Sequence, residues 1–306
     1  MHDLDFLVAT VTQAQCELFG PQRAIWLNRL EQEHHNLQVA LQQLLDAGSV
    51  EQGLQLATAL REFWLGCEHV DEGRNWLTAF LTLPSITTPS PIRASALDAA
   101  GALAFWQNDQ AAAQALMEEG LALRRALGDK PGIALSLIHL GTDQWVFEDH
   151  YAAAQTLYEA SLAIFQEIDD SLGIAYVRLN LGHLALEQGR YTVADGLLKE
   201  SLVTFREQKD MWAVNFALDS LAGVAAGCDQ PARALRLAGA SQALRDSIGI
   251  VLPPVWKAWL EGLLEPAELA LGEDSQAAMG AVGPAMTPDE AIAYALGEGE
   301  AWAKRL

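Results

Sequence analysis

Positive charge is scarce in this chain: 19 Lys and Arg stand against 40 Asp and Glu, a formal net charge of -21 over 306 residues. A surface so acidic repels phosphate backbones and anionic headgroups, so direct nucleic-acid binding and membrane-surface binding are not expected. Cysteine is scarce too. Cys16, Cys67 and Cys228 are odd in number, far apart and without a C-x-x-C. They build neither a disulfide framework nor a zinc site, and read as small buried hydrophobes in a reducing cytoplasm. No apolar run approaches the ~20 residues of a membrane span. The first residues, "MHDLDFLVAT", carry acid where a signal peptide needs base. Alternating β-branched runs are missing, which argues against a sheet. Also missing are a G-x-x-x-x-G-K-[ST] phosphate loop, a G-x-S-x-G elbow and an H-E-x-x-H helix. His34 and His35 are adjacent, so on a helix they point about 100° apart and cannot share one metal. No catalytic residue, metal or cofactor is expected, although a Ser/His/Asp set gathered from distant segments would leave no linear trace.

What the chain has instead is a repeat of about 40 residues. Arg93 to Lys130, Gly132 to Asp169 and Gly173 to Asp210 can be laid over one another, with "RALGDKPGIA", "QEIDDSLGIA" and "REQKDMWAVN" at the same point. Self-similarity at that period signals stacked units, each covering its apolar face only against its neighbours. With 51% hydrophobic residues there is ample material for such a core. Each unit reads as two helices. In one, Ile174, Val177, Leu181 and Leu184 form a face. Gly189-Arg190 interrupts, and Ala194, Leu197, Leu198, Ser201, Leu202 and Phe205 face inward from a second. Gly101, Gly141 and Gly182 fall mid-helix, each costing about 1 kcal/mol relative to alanine. Close approach to a partner helix offering Ala113, Ala154 and Ala194, then Gly120, Ser161 and Ser201, would offset that cost.

Small residue, alanine 12 or 13 positions on, small residue 7 further: this spacing resembles the tetratricopeptide (TPR) pattern, clearest in Gly182, Tyr191, Ala194 and Ser201. The resemblance implies an all-α, TPR-like α-α superhelix, a solenoid of about five helical hairpins with helical caps. Residues 1–48 would be an N-terminal helical cap, 49–250 the repeat array, and 251–306 a C-terminal helical cap and tail. Met211 to Ile250 continues the array with Ala222, Ala234 and Ser241. "GLQLATALREFWLGCEHVDEGRNWLTAFLTL" is a divergent first unit, its Phe63-Trp64 matching Phe105-Trp106. Val255 to Leu271 reads as one amphipathic helix, Gly280 to Pro284 as loose, and Gly297 to Leu306 as a mobile tail. Thr287-Pro288-Asp289-Glu290 has the chemistry of a capping box opening a last helix.

The order of "WLNRLEQEHHNLQVAL", "FWLGCEHVDEGRNWL" and "LPPVWKAWLEGLLEPAELALGEDSQAAM" is similar to the carboxy-terminal superhelical region of bacterial STAND signalling ATPases and LuxR-like or SARP-like transcriptional regulators. That resemblance implies a cytoplasmic, non-catalytic sensor or scaffold binding a protein or peptide partner, or a small effector. The missing phosphate loop and missing basic recognition helix leave an excised sensor region or a free-standing relative. A self-association module is the alternative, and a cryptic hydrolase the more distant one. In TPR arrays the first helix of each unit lines the groove. The resemblance therefore nominates Asp98, Phe105, Trp106, His139, Thr142, Asp143, Trp145, Tyr176, Arg178, Asn180, His183, Asn215 and Asp219 as groove residues, with Asn180 resembling a peptide-holding asparagine. The carboxylates Glu31, Glu33, Glu118 and Glu119 read as solvated outer faces.

Overall fold

The computed structural model describes residues 4–83, 90–148, 150–271, 283 and 286–298. The expected loose stretch 280–284, apart from Gly283, the expected tail from 299 onward and the Cys16 side chain lie outside the described residues. Sixteen helices and no strand occur among the described residues, a TPR-like all-α solenoid architecture. The chain divides into two compact units, 1–169 and 170–306.

The first unit holds α1 (Leu4–Glu17), α2 (Arg23–Gln32), α3 (His34–Asp46), α4 (Val50–Ala59), α5 (Arg61–Gly66), α6 (Val70–Leu81), α7 (Pro91–Trp106), α8 (Gln110–Leu127), α9 (Lys130–Glu148) and α10 (Tyr151–Glu167). Its hairpins are α7 with α8 and α9 with α10. The divergent segment before them is more broken than a single hairpin: α4 stops at Ala59 and α5 restarts at Arg61. Phe63 and Trp64 are fully buried there, and the Trp64 indole N–H donates to the Ala57 carbonyl at 3.3 Å.

The second unit holds α11 (Ser171–Glu187), α12 (Tyr191–Gln208), α13 (Met211–Gly227), α14 (Pro231–Ile248), α15 (Pro254–Ala270) and α16 (Pro288–Leu296). Here α11 pairs with α12 and α13 with α14, while α15 packs on α13 and α14 and α16 on α12 to α14. One core runs from Ala175 to Ala295. Every position from Ala213 to Ala225 on α13 is buried, because α12, α14, α15 and α16 surround it. Helix α11 is buried on several sides as well, so the single face read from Ile174 to Leu184 understates its burial. An enclosed helix loses the periodic signature of a surface one.

The recurring fragment has a local cause. Asp129, Asp170 and Asp210 each cap the first helix of a hairpin, accepting from Gly132 N at 3.1 Å, Gly173 N at 2.9 Å and Ala213 N at 3.0 Å. Each such cap is worth about 1 kcal/mol. Gly189 at φ 68 ends α11, as expected, and Lys209 at φ 57 takes the same left-handed turn after α12 at a strain that glycine avoids. The capping box at Thr287 and Glu290 is formed in full.

The three mid-helix glycines do sit at close approaches, but what they admit is a large side chain. A Cβ on Gly141 would lie 2.6 Å from the Tyr158 ring, one on Gly182 2.8 Å from Leu198, and one on Gly101 3.0 Å from Met117. Tyr158, Leu198 and Met117 each stand four residues after the repeat's alanine. Ala113, Ala154, Ala194, Ser161 and Ser201 are fully buried, so the small residues mark the crossing and the bulky neighbour fills it.

Candidate functional site

In the first unit a cleft of about 210 Å³ is lined by residues of α1, α4, α5, α7, α8 and α9, among them Thr58, Arg61, Glu62, Asp98, Arg124 and His139. Two groove candidates, Asp98 and His139, meet there. Asp98 is only 4% exposed and forms an ion pair with Arg124. Burial pushes its carboxyl up to about 6, against the pull of Arg124 and Arg61. Burial holds the half-buried His139 down at about 4, so its imidazole is neutral at pH 7. Four buried polar atoms of residues lining this cleft, Thr58 Oγ1, Asp98 Oδ1, Arg124 Nε and His139 Nδ1, have no hydrogen-bond partner among the described residues. These atoms are themselves shut off from solvent, so what the cleft presents to a partner is the Arg61 guanidinium and the half-buried His139 ring.

Arg61, Glu62 and Arg124 did not stand out in the sequence. Arg61 bonds Glu62, which also pairs with Arg23 at 3.3 Å. Arg124 looks like an ordinary charge on a surface helix. Its repeat position is the available signal: the equivalents in the next two hairpins are the buried Phe165 and Phe205, and in the last it is Arg245, paired with Asp219 at 2.7 Å. Partners are 26 residues apart in both Asp–Arg pairs.

The other candidates in the first unit are spread out. Trp106 is half-buried against the core and Trp145 and Asp143 are buried. The Thr142 hydroxyl donates to the Ile138 carbonyl at 3.1 Å and lies 3.1 Å from the Tyr158 hydroxyl.

In the second unit most candidates are held by internal partners. Asn180, at 9% exposure, spends one of its amide N–H groups on the Tyr176 carbonyl of its own helix at 2.8 Å. Tyr176 donates through its hydroxyl to Asp210 at 2.5 Å. His183 is 2% exposed, with the rings of Trp256 and Trp259 each 5.4 Å away, and burial drives its pKa down to about 3. Asn215 is fully buried and bonds Ser241 O and Oγ at 2.8 and 2.7 Å. Asp219 is buried and raised by that burial, against the pull of Arg245. For His183, Asn215, Asp219 and Trp145, the geometry replaces surface contact with a packing role, because a side chain without exposed area cannot meet a ligand. Arg178, paired with Glu200 at 3.2 Å and 36% exposed, and half-buried Tyr176 keep a surface.

One expectation from the sequence needs correction. Cys228 is exposed and Cys67 half-buried, not buried hydrophobes. A set of metal-ligating side chains does come together, from Glu31, His34 and His69. His34 takes His69 as its neighbour instead of His35, 35 residues further along the chain, a distance that linear motifs do not register.

The tetratricopeptide repeat family matches residues 148–207. Among curated proteins no relative matches. Among solved structures 32 chains do, including the crystal structure of BtubC (BKLC) from P. vanneervenii. That similarity has a TM-score of 0.50 at 15% identity and covers 83% of this chain and 95% of that one, which is a likeness of fold. No helix among the described residues is long and apolar enough to cross a membrane. The chain thus carries a TPR-type repeat at 148–207 within an all-α, TPR-like solenoid.

Proposed function

We propose that this chain is a non-catalytic recognition scaffold that binds a protein or peptide, with the Arg61–His139 cleft of the first unit as its contact point. The observation that carries the reading is the cleft itself, where partly exposed Arg61 and half-buried His139 line one recess. Its volume of about 210 Å³ is below the ~300–1,000 Å³ of ordinary small-molecule pockets, and suits one inserted side chain or chain end. Arg61 offers a partly exposed cation in an otherwise acidic chain, and neutral His139 can donate or accept. A partner side chain ending in a carboxylate or amide matches that set. TPR repeats generally mediate protein–protein contacts, which agrees. Trp106 and Thr142 are proposed as further contacts of the first unit, and Tyr176 and Arg178 as contact residues of the second unit by itself.

The test is selection of peptides from a random displayed library on the full chain, followed by affinity measurements on Arg61→Ala and His139→Ala. Selected peptides rich in Asp, Glu, Asn or Gln that lose at least about tenfold in affinity to either variant support the reading; the loss of one charge-assisted hydrogen bond has that size. Peptides that bind both variants as well as the parent would refute it. By its resemblance to STAND and LuxR-like sensor regions, we further propose that binding regulates a signalling ATPase or transcription factor by stiffening or re-curving the hairpins. Identical small-angle scattering with and without a selected peptide would count against that mechanism.

A further inference from the structure

Two helix junctions of the first unit face one another. In one, α2 ends and α3 begins around Glu33, placing Glu31 and His34 on either side of the break. In the other, α5 gives way to α6 through Cys67, Glu68 at φ 59 and His69. The left-handed turn at Glu68 reverses the chain enough to bring the His69 ring over the His34 ring, stacked at 4.2 Å with 29° between planes. Phe63 lies against both imidazoles, 5.4 Å from each, and Trp64 is edge-on to His34 at 6.3 Å. Both aromatics are fully buried, so they form a fixed floor.

Carboxylates hold the rings from the open side. His69 Nε2 is 2.9 Å from Glu31, and His34 Nε2 is 2.8 Å from Glu72, whose other oxygen accepts from Gln38 at 3.0 Å. Glu31, His34 and His69 each bring one ligand atom to within 4.8 Å of the others. The Cys67 thiol is a further neighbour of Glu31.

We propose that Glu31, His34 and His69 form a binding site for a borderline divalent transition-metal ion, Zn²⁺ in the first instance. Two imidazoles and one carboxylate are a ligand set that Zn²⁺ favours, leaving a fourth position open to water or a neighbouring group. Three ligands held by helix ends on a rigid aromatic floor lose little entropy on binding. Glu72 and Gln38 supply the outer hydrogen bonds that orient the His34 ring. A purely structural reading, in which the two His–Glu bonds only pin the junctions, leaves the carboxylates of both junctions partly exposed, with Glu31 48% and Glu72 24% accessible. A metal would reach the site from that side.

The full chain, stripped with a chelator, is titrated with Zn²⁺ by calorimetry, and with Co²⁺ to read coordination from its visible bands. The proposal expects saturation at one ion per chain. It expects His34→Gln and His69→Gln each to weaken binding at least about tenfold, the lower end of what even outer ligand partners cost, and His35→Ala to bind as the parent does. Nitrogen NMR on the unaltered chain keeps the test independent of variant folding. Adding Zn²⁺ should shift ring resonances of two of the seven histidines, His34 and His69. No saturable binding, or Zn²⁺ shifts confined to other histidines, would overturn it.

Discussion

Replacing Gly182 by alanine sets two known effects against each other. In an unobstructed helix the change is favourable by about 1 kcal/mol, because glycine has the larger backbone freedom to lose. In α11 the new Cβ would sit 2.8 Å from both Leu198 Cδ2 and Cγ, and Leu198 is fully buried. Overpacking of this kind costs about 1–3 kcal/mol, leaving a net loss of about 0–2 kcal/mol. Gly196 is the internal control. It lies in α12 of the same hairpin, is exposed, and its added Cβ would meet nothing within 4 Å. Gly196→Ala should therefore stabilise by about 1 kcal/mol. The two alanine variants should differ by about 1–3 kcal/mol in urea unfolding, read as midpoint shifts at constant slope. A double-mutant cycle with Leu198→Ala sharpens the test. If the Leu198 side chain is the obstacle, the alanine at 182 should be harmless once that side chain is gone, a coupling of about 1 kcal/mol or more. Gly182→Ala as stabilising as Gly196→Ala would refute the packing argument.

Arg245→Ala should cost about 3–5 kcal/mol, since it strands the buried Asp219 carboxylate. The joint change Asp219→Leu with Arg245→Phe, which copies the Leu179 and Phe205 of a neighbouring hairpin, should cost far less in the same unfolding assay. His183, with its pKa lowered to about 3 by burial, binds fewer protons folded than unfolded. Its contribution is therefore present above about pH 6.5 and is lost as pH falls, about 2 kcal/mol by pH 5. Asp98, raised to about 6, works in the opposite sense over that range, so the measurement compares the pH slopes of the parent and His183→Gln, whose slope should be flatter. Thr287→Ala removes the capping-box acceptor of α16 and should lower stability by about 1 kcal/mol, checked by thermal unfolding.

The hairpins were legible in the sequence because their signals are local and repeated. Asp170 and Asp210 cap and Gly189 turns, each within one turn of helix, and Gly182 admits Leu198 from the other helix of the same hairpin. The groove was less legible. TPR spacing says which residues sit near a helix crossing, and the same positions serve as core when further helices cover them. Trp256 and Trp259 on α15 cover His183, and no feature of residues 173–210 announces them. Arg124 and Arg245 stayed hidden for the converse reason: a charge on the second helix of a hairpin looks solvated until a buried Asp is found opposite. The Glu31, His34 and His69 cluster depends on two chain reversals, and pairwise spacing along the chain carries no trace of either.

Site-specific photocrosslinking tests the recognition reading most directly. A photoreactive residue is placed at Leu135, which lines the first-unit cleft and is 40% exposed, and separately at Val193, which is 47% exposed and outside it. On irradiation with a selected peptide, crosslinks should form at 135 and be competed by the free peptide, with none above background at 193. Equal labelling at both positions, or labelling at 193 alone, would contradict a partner seated in the Arg61–His139 cleft.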